Sequence, residues 1–547
     1  MPSLFGTDGV RGIANADITV ELAVALGRAG ATILARQTGR RPRMLIGRDT
    51  RRSGDLLEAA LSAGAMSVGA DVLRLGVATT PAVAYLVRVL DVDAGAVISA
   101  SHNPAAYNGI KFFSHDGYKL PDAAEAEIEA MIGRLAPAGS LGRGLWTTNG
   151  RTAADHAPGG SDGWAHGPVS APPPAAHPGS GQGRDSGSPH PASSLAPSGR
   201  DVGPASPPIA PARRDSGSPH PASSLAPSGG DSGSPHPAPI GPDLGSLDDR
   251  SRELARYIDF IAALAGDLSG LRIICDCANG AAYEIAPQAL RQAGATVEAI
   301  SASPDGLNIN DDCGSLHPAG LARRVREAGA DLGFAFDGDA DRLIATDEHG
   351  EVVDGDQIMA MVGCDLLARG QLPGDAIVGT VMSNLGLELC LHQRGGRLLR
   401  TKVGDRHVLE RLREGGYALG GEQSGHIIFL RHHTTGDGLL TAAVVAALMK
   451  RTGRPLSELA GIMPRLPQVL QNVRVAQGES WEANANISAA IMAAENALGD
   501  HGRVLVRASG TEPLLRVMVE GEDAAAVQAA AASITAVVTA ELGVAQP

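Results

Sequence analysis

The chain of 547 residues carries a formal net charge of −14 and contains five cysteines. This length allows three or four domains, and the acidic balance argues against a nucleic-acid-binding protein, which generally presents a basic face. The cysteines form no CxxC pair, so the sequence indicates neither a zinc site nor a disulfide framework.

Residues 1–143 are predicted to form an α/β domain. Short β-branched runs such as RMLIG and AGAVIS alternate with Ala- and Leu-rich helical stretches such as SGDLLEAALSAGAM, which is the pattern of βαβ units. The segment ISASHNP places Ser101 directly after an apolar strand, with a turn at Asn103 and Pro104. Ligands of open α/β sheets bind beyond the carboxyl ends of strands, so Ser101 is a candidate functional residue. Taken alone, the same turn also fits a capping role.

Residues 144–245 differ from the rest of the chain because Pro, Gly, Ser, Ala and His replace most bulky apolar side chains. The stretch RDSGSPHPASSLAPSG occurs at Arg184 and again at Arg214. Such a composition cannot offset the entropy of ordering the backbone, about 1 to 2 kcal/mol per residue. We therefore predict a long disordered insertion after the first domain.

The α/β pattern resumes in residues 246–350 and continues in 351–462, which we predict to be two further domains with mixed sheets. The loop DGDAD follows the strand LGFAF and supplies Asp337, Asp339 and Asp341. These carboxylates alternate along a Gly-interrupted loop, so they can converge on one cation as hard oxygen ligands. Three such ligands with open positions suit magnesium holding a phosphate.

This acidic loop has two other interpretations. A solvated acidic turn would need no cation. An EF-hand is suggested by Glu348 at the twelfth position, but Arg342 stands where that loop requires glycine, and strands rather than helices flank it.

The segment ALGGEQSGHIIF in the third domain places Glu422 and Ser424 on a Gly-bordered loop. Their oxygens suit sugar hydroxyls, which both donate and accept hydrogen bonds. A plain hairpin turn is the alternative for this motif.

Residues 463–547 show a different order of strand, helix, strands and helix, which predicts a smaller α+β domain. Its segment VRASGTEPLLRV gathers a guanidinium, two hydroxyls and turn amides, the donors that a phosphate dianion requires. The candidate phosphate-binding residues are Arg507, Ser509, Gly510 and Thr511.

No GxxxxGK[ST] loop and no GxGxxG after a strand is present, so a nucleotide-driven kinase or a dehydrogenase is not indicated. A serine beside a cation can instead carry the phosphate covalently, because the cation screens its charge. Ser101 is the candidate carrier. Arg11, in the Gly-rich segment FGTDGVRG, and Lys111, in NGIKFF, are further cationic candidates.

The N-terminal segment MPSLFGTDGVRG lacks the basic and apolar regions of a signal peptide. The apolar stretch GLLTAAVVAALM from Gly438 is shorter than the ~20 residues that cross a bilayer. We therefore expect a cytoplasmic protein with no membrane and no nucleic-acid partner.

Five segments carry a resemblance to a known family: LFGTDGVRGIAN, ISASHNPAAYNGIKFF, DGDADR, GGEQSGH and RASGTEP. Together and in this order they closely resemble the bacterial phosphoglucosamine mutases of the α-D-phosphohexomutase superfamily. The likeness covers residues 1–143 and 246–540, whereas family members lack the 144–245 tract. It implies three related α/β domains and a smaller C-terminal α+β domain around one central cleft.

The resemblance also implies roles for individual residues. Ser101 would be a phosphoserine, and Mg²⁺ would be bound by Asp337, Asp339, Asp341 and the seryl phosphate. Sugar recognition would fall to Glu422 and Ser424, and binding of the substrate phosphate to Arg507, Ser509, Gly510 and Thr511.

The expected reaction is the interconversion of glucosamine 6-phosphate and glucosamine 1-phosphate, which feeds UDP-N-acetylglucosamine and cell-wall precursor synthesis. Glucosamine 1,6-bisphosphate would be both intermediate and activator. Arg11 and Lys111 are expected to neutralise charge, and Arg342 to contact substrate. Either His102 or Lys111 would transfer the proton. We expect a small-molecule sugar phosphate as partner and a monomer or homodimer.

Three alternatives to this function stay open. A phosphomannomutase/phosphoglucomutase would share the mechanism with another sugar. A phosphoserine-dependent sugar phosphatase would release inorganic phosphate from its substrate. A catalytically silent sugar-phosphate sensor would need no phosphate carrier, and the complete set of Ser101 and three aspartates weighs against it.

Residues 144–245 are predicted to be dispensable for folding and for catalysis, since none of the five motifs falls inside them. Replacing them by a short Gly/Ser linker should shift stability by only about 1 to 2 kcal/mol. The thermal midpoint and kcat/KM of the shortened and full-length chains are the measurements. Agreement within a few degrees and a factor of about three is expected. Loss of folding or activity would show that the tract packs on the domains.

Overall fold

A computed structural model describes residues 4–6, 8–34, 40–135, 243–475, 481–509 and 513–544. The predicted 144–245 insertion lies outside the described residues except for its last three. The described parts contain four successive β-sheets, the first three of which carry helices in the α/β manner that the sequence predicts. All five cysteines are free and buried.

The first sheet has six strands in the order β1-β5-β4-β2-β3-β6. Its centre, from β4 through β2 and β3 to β6, is parallel, whereas β5 runs antiparallel to both β4 and β1. The strands are β1 (Val10–Ile13), β2 (Arg43–Arg48), β3 (Asp71–Val77), β4 (Ala94–Ile98), β5 (Tyr107–Ser114) and β6 (Leu247–Asp249). The helices are α1 (Val20–Leu34), α2 (Ser53–Met66), α3 (Thr80–Val89) and α4 (Asp122–Leu135).

The second sheet has five strands in the order β11-β10-β9-β7-β8, with β8, β7 and β9 parallel and β10 antiparallel to β9. Its helices are α5 (Leu254–Ala265), α6 (Ala282–Gln292) and α7 (Ala319–Ala328). Its strands are β7 (Arg272–Asp276), β8 (Thr296–Ile300), β9 (Leu332–Phe336), β10 (Leu343–Asp347) and β11 (Val352–Val353).

Two strands follow a domain boundary proposed from the sequence but pair with the sheet of the preceding domain. β6 follows position 246 but pairs with β3 of the first sheet, and β11 follows position 350 but pairs with β10 of the second sheet. Both strands are short, and their backbone partners lie in the preceding domain. The hydropathy pattern does not indicate which sheet such a short strand joins.

The third sheet has four strands in the order β13-β12-β14-β15. β12 is parallel to β13 and β14, and β15 is antiparallel to β14. The strands are β12 (Ala376–Thr380), β13 (Arg397–Thr401), β14 (Leu419–Gly421) and β15 (Ile427–Phe429). The helices are α8 (Gly355–Ala368), α9 (Leu385–His392), α10 (Asp405–Gly415), α11 (Gly438–Thr452) and α12 (Leu456–Ala460).

The fourth sheet is smaller and antiparallel, in the order β16-β18-β17. Its elements are β16 (Gln468–Arg474), α13 (Ala485–Leu498), β17 (Gly502–Ala508), β18 (Leu514–Gly521) and α14 (Ala524–Leu542). By length and composition alone α14 could cross a membrane. One face of α14 instead lies in the hydrophobic core of the C-terminal domain. Its buried residues follow the three- and four-residue spacing of a helix face: Val527, Ala531, Ile534 and Val538.

One element recurs in the first three domains. A strand that is parallel to its inner neighbour is followed by a loop and then by an antiparallel strand, in β4–β5, β9–β10 and β14–β15. The three loops carry Ser101, the three aspartates and Glu422, respectively. The same hairpin at the carboxyl end of a parallel strand therefore presents all three central motifs.

Packing fixes the second and third domains against each other. One core contains Phe336 and Leu343 of the second domain together with Leu439 and Leu440 of α11 in the third. The buried Tyr257 hydroxyl of α5 also donates a hydrogen bond to Asp437 Oδ1, over 2.7 Å. The aspartate loop and the Glu422 loop are therefore held by one shared interior.

Candidate active site

Ser101 meets the aspartate loop across the boundary between the first and second domains. Its Oγ donates a hydrogen bond to Asp337 Oδ2 over 2.6 Å, and its side chain is buried. The backbone of Ser101 is left-handed, with φ of +50°. The approach is close because Gly338 has no side chain: a Cβ there would lie 2.5 Å from the Ser101 carbonyl oxygen. The loop's glycine is therefore required by the serine that faces it.

The three aspartates converge as the sequence predicts. One carboxylate oxygen from each of Asp337, Asp339 and Asp341 lies within 4.8 Å of the others, and all three residues are buried. Ala340 between the last two has φ of +56°, which keeps the loop from becoming helical. The three alternating carboxylates are thus directed toward one another.

This cluster suits a divalent cation. Asp339 Oδ1 and Asp341 Oδ1 are buried and have no hydrogen-bond partner among the described residues. Burial raises the pKa of Asp337 well above its usual value, and the neighbouring Asp341 and Asp339 carboxylates raise it further. Buried oxygens without partners in a cluster of like charge are what a hard cation would satisfy.

Lys111 places a cation beside the carboxylates. Its Nζ lies 2.8 Å from Asp339 Oδ2, 3.1 Å from Asp8 Oδ2 and 3.8 Å from Asp341 Oδ2. Burial acts to lower the pKa of Lys111, but Asp339 and Asp8 outweigh it and raise the pKa above its usual value. The side chain of Arg11 pairs with Asp8. Arg11 and Lys111, the two cations predicted from the first domain, therefore both contact Asp8.

His102 lies next to the serine hydroxyl. Its Nδ1 is 3.4 Å from Ser101 Oγ. Burial lowers the pKa of His102 to about 4, and the cations of Arg342 and Arg11 act in the same direction. The imidazole is therefore neutral at pH 7, with a ring nitrogen free to accept a proton, and it is a weaker base than an unperturbed histidine.

Arg342 directly follows the last residue of the aspartate loop and hydrogen-bonds back to its first. Its backbone N–H donates to Asp337 Oδ1 over 3.2 Å, and its side chain is about a quarter exposed. Burial acts to lower the pKa of Arg342, but Asp341, Asp337 and Glu422 outweigh it and raise the pKa. The arginine thus offers a permanent charge between the second and third domain loops.

The third-domain loop docks on the aspartate loop. The Leu343 N–H donates to the Gly425 carbonyl over 3.1 Å, and Gly425 has φ of +90°, which favours glycine. Glu422 Oε1 accepts a hydrogen bond from the Gly404 N–H over 3.0 Å. The Ser424 hydroxyl is buried without a hydrogen-bond partner among the described residues. Its hydrogen-bonding capacity is therefore unused among the described residues.

Arg507 and Ser509, two of the predicted phosphate-binding residues, lie in or next to the fourth sheet. Arg507 is on β17 opposite Arg516 of β18, and burial together with that neighbour lowers its pKa. The Ser509 N–H donates to the Leu514 carbonyl over 2.8 Å. The strand pairing of Arg507 and the hydrogen bond of Ser509 both lie within the fourth sheet, and Gly510 and Thr511 lie outside the described residues.

Several residues of the site were not predicted. His426 Nδ1 lies 3.6 Å from Asp341 Oδ2, while its Nε2 accepts a hydrogen bond from the Gly436 N–H over 3.1 Å. The Thr80 hydroxyl, at the start of α3, donates to Asp339 Oδ2 over 2.6 Å. His426 belongs to the GGEQSGH motif, which points to it, whereas Thr80 carries no signal in the sequence beyond a helix start.

Lys119 ties the first and third domains together. Its Nζ lies 2.6 Å from Asp8 Oδ1 and also pairs with Asp405. Burial acts to lower the pKa of Lys119, but Asp405 and Asp8 outweigh it and raise the pKa above its usual value. Because Asp8 also contacts Lys111, this chain of charges continues into the site.

Models of the phosphoglucomutase/phosphomannomutase family match the chain in order. The alpha/beta/alpha domains I, II and III match residues 2–137, 255–350 and 354–466, and the C-terminal domain matches residues 470–537. These matches confirm four domains of the predicted classes.

The chain is also similar over its length to curated bacterial proteins. It is 47% identical to the phosphoglucosamine mutase of Symbiobacterium thermophilum, over 99% of this chain and 100% of that protein. It is 46% identical to the phosphoglucosamine mutase of Alkaliphilus oremlandii, over 96% of each chain.

Solved structures show the same fold at lower identity. A phosphoglucomutase/phosphomannomutase family protein from Burkholderia thailandensis aligns with a TM-score of 0.69 and 21% identity, over 100% of both chains. Aspergillus fumigatus N-acetylphosphoglucosamine mutase, in complex with GlcNAc-6P and magnesium, aligns with a TM-score of 0.58 and 16% identity, over 98% of this chain and 95% of that one.

Replacing Asp339 by asparagine should weaken divalent-cation binding by at least about tenfold, because it removes one charge from the ligand set. The change keeps an oxygen that can accept from Thr80 and Lys111, so the fold should persist. Calorimetric titration with Mg²⁺ is the measurement. The control is Asp311→Asn, which removes the same charge from an exposed position of the second domain. Equal Mg²⁺ affinity in both variants would contradict the cation site.

Proposed function

The chain belongs to the phosphoglucomutase/phosphomannomutase family, and we propose that it interconverts glucosamine 6-phosphate and glucosamine 1-phosphate. The observation that carries this proposal is the buried Ser101 hydroxyl, 2.6 Å from a carboxylate of the three-aspartate cluster. Curated phosphoglucosamine mutases at 43–47% identity over nearly the whole chain support the choice of sugar. The product would feed the synthesis of UDP-N-acetylglucosamine and cell-wall precursors.

Ser101 is proposed to carry the phosphoryl group between two positions of the sugar. The free hydroxyl oxygen of the sugar attacks the phosphorus of phospho-Ser101. A phosphorus–oxygen bond to the sugar forms, the bond to Ser101 Oγ breaks, and the electron pair stays on Oγ. The resulting glucosamine 1,6-bisphosphate reorients in the site so that its other phosphate faces Ser101. Oγ then attacks that phosphate. Added bisphosphate would also phosphorylate an empty Ser101 and so act as activator.

Mg²⁺ is the cation that we assign to the acidic cluster. Asp337, Asp339 and Asp341 would hold it together with an oxygen of the seryl phosphate. Once bound, it supplies positive charge that offsets the charge of the transferring phosphoryl group.

The chain's own cations are proposed to complete the charge balance. This role is assigned to Lys111 and Arg11 of the first domain and to Arg342 of the second. Phosphoryl transfer depends on positioning and charge neutralisation more than on covalent chemistry, so such groups are expected to matter.

His102 is the nearer candidate for the proton transfer. Its Nδ1 lies 3.4 Å from Ser101 Oγ, whereas Lys111 Nζ is directed at three carboxylates. His102 would therefore take the proton of the attacking sugar hydroxyl and return it in the second half of the reaction. Lys111 is then assigned to charge neutralisation.

Sugar recognition is assigned to the third-domain loop. Glu422 would offer a carboxylate oxygen and Ser424 an unpartnered hydroxyl to the hydroxyls of the ring. The substrate's own phosphate is assigned to the fourth-domain loop, with residues Arg507, Ser509, Gly510 and Thr511. One phosphate site must serve both ends of the sugar, so a shift of the fourth domain during the cycle is part of the proposal.

The wider setting follows from this reaction. The substrate is a small sugar phosphate of the cytoplasm, and neither nucleic acid nor a membrane is required. A monomer or a homodimer would serve equally, since every assigned group comes from one chain.

A panel of sugar phosphates followed by phosphorus NMR separates the mutase from its alternatives. Interconversion of the two glucosamine phosphates is the expected result. Preferred turnover of mannose or glucose phosphates would indicate a phosphomannomutase/phosphoglucomutase. Net release of inorganic phosphate would indicate a phosphatase.

Replacing Ser101 by alanine should abolish turnover, because the phosphate carrier is removed. Intact-protein mass spectrometry should find one phosphate on the unmodified sequence and none at this position in the variant. Ser303→Ala, at an exposed position of the second domain, is the matched control and should keep both the phosphate and the activity. A fully active Ser101→Ala variant would end the phosphoserine mechanism.

Replacing Arg507 by alanine should raise KM for the sugar phosphate with little change in kcat. The reason is that a phosphate anchor acts equally on the ground state and the transition state. Steady-state kinetics beside Arg474→Ala, an exposed arginine of the same sheet, are the measurement. A large fall in kcat at unchanged KM would contradict the assigned role.

A further inference from the structure

The backbone of Ser101 is held by a chain of hydrogen bonds that begins at its own N–H group. This N–H donates to Ser99 Oγ over 2.9 Å. The Ser99 hydroxyl in turn donates to Asp49 Oδ2 over 2.6 Å. Neither Ser99 nor Asp49 has measurable exposure to solvent.

Arg51 closes this chain into a ring. Its Nε donates to Asp49 Oδ2 over 2.8 Å, and its Nη2 donates to the Ser101 carbonyl oxygen over 3.0 Å. Arg51 is itself fully buried. The N–H and the C=O of Ser101 are thus the two ends of one closed circuit through Ser99, Asp49 and Arg51.

Arg51 also fixes the turn that follows Ser101. Its Nη2 donates to the Asn103 carbonyl over 2.8 Å, and its Nη1 donates to the Tyr107 carbonyl over 3.1 Å. From the second domain, Asn310 Nδ2 donates to the Ser101 and Asn103 carbonyls over 2.9 and 3.1 Å. The planar guanidinium makes these bonds at fixed angles, which a lysine ammonium could not reproduce.

The conformation of Ser101 explains why such support is needed. A residue other than glycine with φ of +50° is strained, and the strain persists only where surrounding contacts enforce it. This conformation lets the hydroxyl reach Asp337 Oδ2, 2.6 Å away. Release of the ring would let the backbone relax and carry Oγ away from the aspartate cluster.

We infer that Asp49, Arg51 and Ser99 are positioning residues that hold Ser101 Oγ at the aspartate cluster for phosphoryl transfer. This inference rests on the proposed function. None of the three is assigned a contact with substrate. Reaction rate is sensitive to the placement of the reacting atoms, so loosening the ring should lower kcat and leave KM for the sugar phosphate nearly unchanged.

The test compares two buried serines of the first domain. Ser99→Ala opens the ring by removing both hydrogen bonds of the Ser99 hydroxyl, the one accepted from the Ser101 N–H and the one donated to Asp49 Oδ2. Ser62→Ala makes the same change in α2, where the buried hydroxyl has no hydrogen-bond partner among the described residues. Both variants are assayed for kcat, KM and thermal midpoint. Enzyme phosphorylated at Ser101 is also mixed with glucosamine 6-phosphate to measure a single transfer.

Ser99→Ala is expected to slow the single transfer and to lower kcat by at least about tenfold, while KM stays within about twofold of the unmodified protein. Ser62→Ala should match the unmodified protein. Arg51→Lys, which keeps the charge but not the fork, should lower kcat further. If Arg51→Lys fails to fold, the Ser99→Ala result decides.

Two outcomes would overturn the inference. A Ser99→Ala variant with unchanged kcat would show that the ring does not position the serine. A raised KM at unchanged kcat would show that it shapes substrate binding instead. An unmodified protein that turns over no glucosamine phosphate would instead refute the proposed function, and the two failures are therefore distinct.

Discussion

The hydrogen bond from Ser101 Oγ to Asp337 Oδ2 is the contact on which the rest of the site depends. It joins a loop of the first domain to a loop of the second, and both partners are buried. The approach requires a residue without a side chain at Gly338. It also requires an uncommon backbone conformation at the serine. His102, Lys111 and Thr80 all lie against these two loops.

A single structural element explains how three domains can contribute to one reaction. In each, a parallel strand ends in a loop and is followed by an antiparallel strand, so the loop projects from the carboxyl edge of the sheet. The three loops share a geometry and differ in side chains. A serine, an acidic cluster and a carboxylate–hydroxyl pair therefore supply the phosphate carrier, the cation site and the sugar contact that we propose.

Charge alternation allows many ionisable groups to lie together in a partly buried cluster. Asp8 pairs with Arg11, Lys111 and Lys119, and Lys119 pairs in turn with Asp405 of the third domain. A buried charge is tolerated when an opposite charge lies within hydrogen-bonding distance. The same pairs link the first and third domains, so the electrostatics of the site and the assembly of the domains are coupled.

The fold class and the central motifs can be read from the residues alone, because hydrophobic periodicity and short acidic or Gly-rich loops are local properties. Ser101 and the aspartates were found in this way. The ring through Asp49, the contact of Thr80 with Asp339, and the joining of Leu247–Asp249 to the first sheet were decided only by tertiary structure. Each depends on partners far apart in the chain, and hydrogen-bond direction and strand pairing leave no periodic trace in the residues that make them.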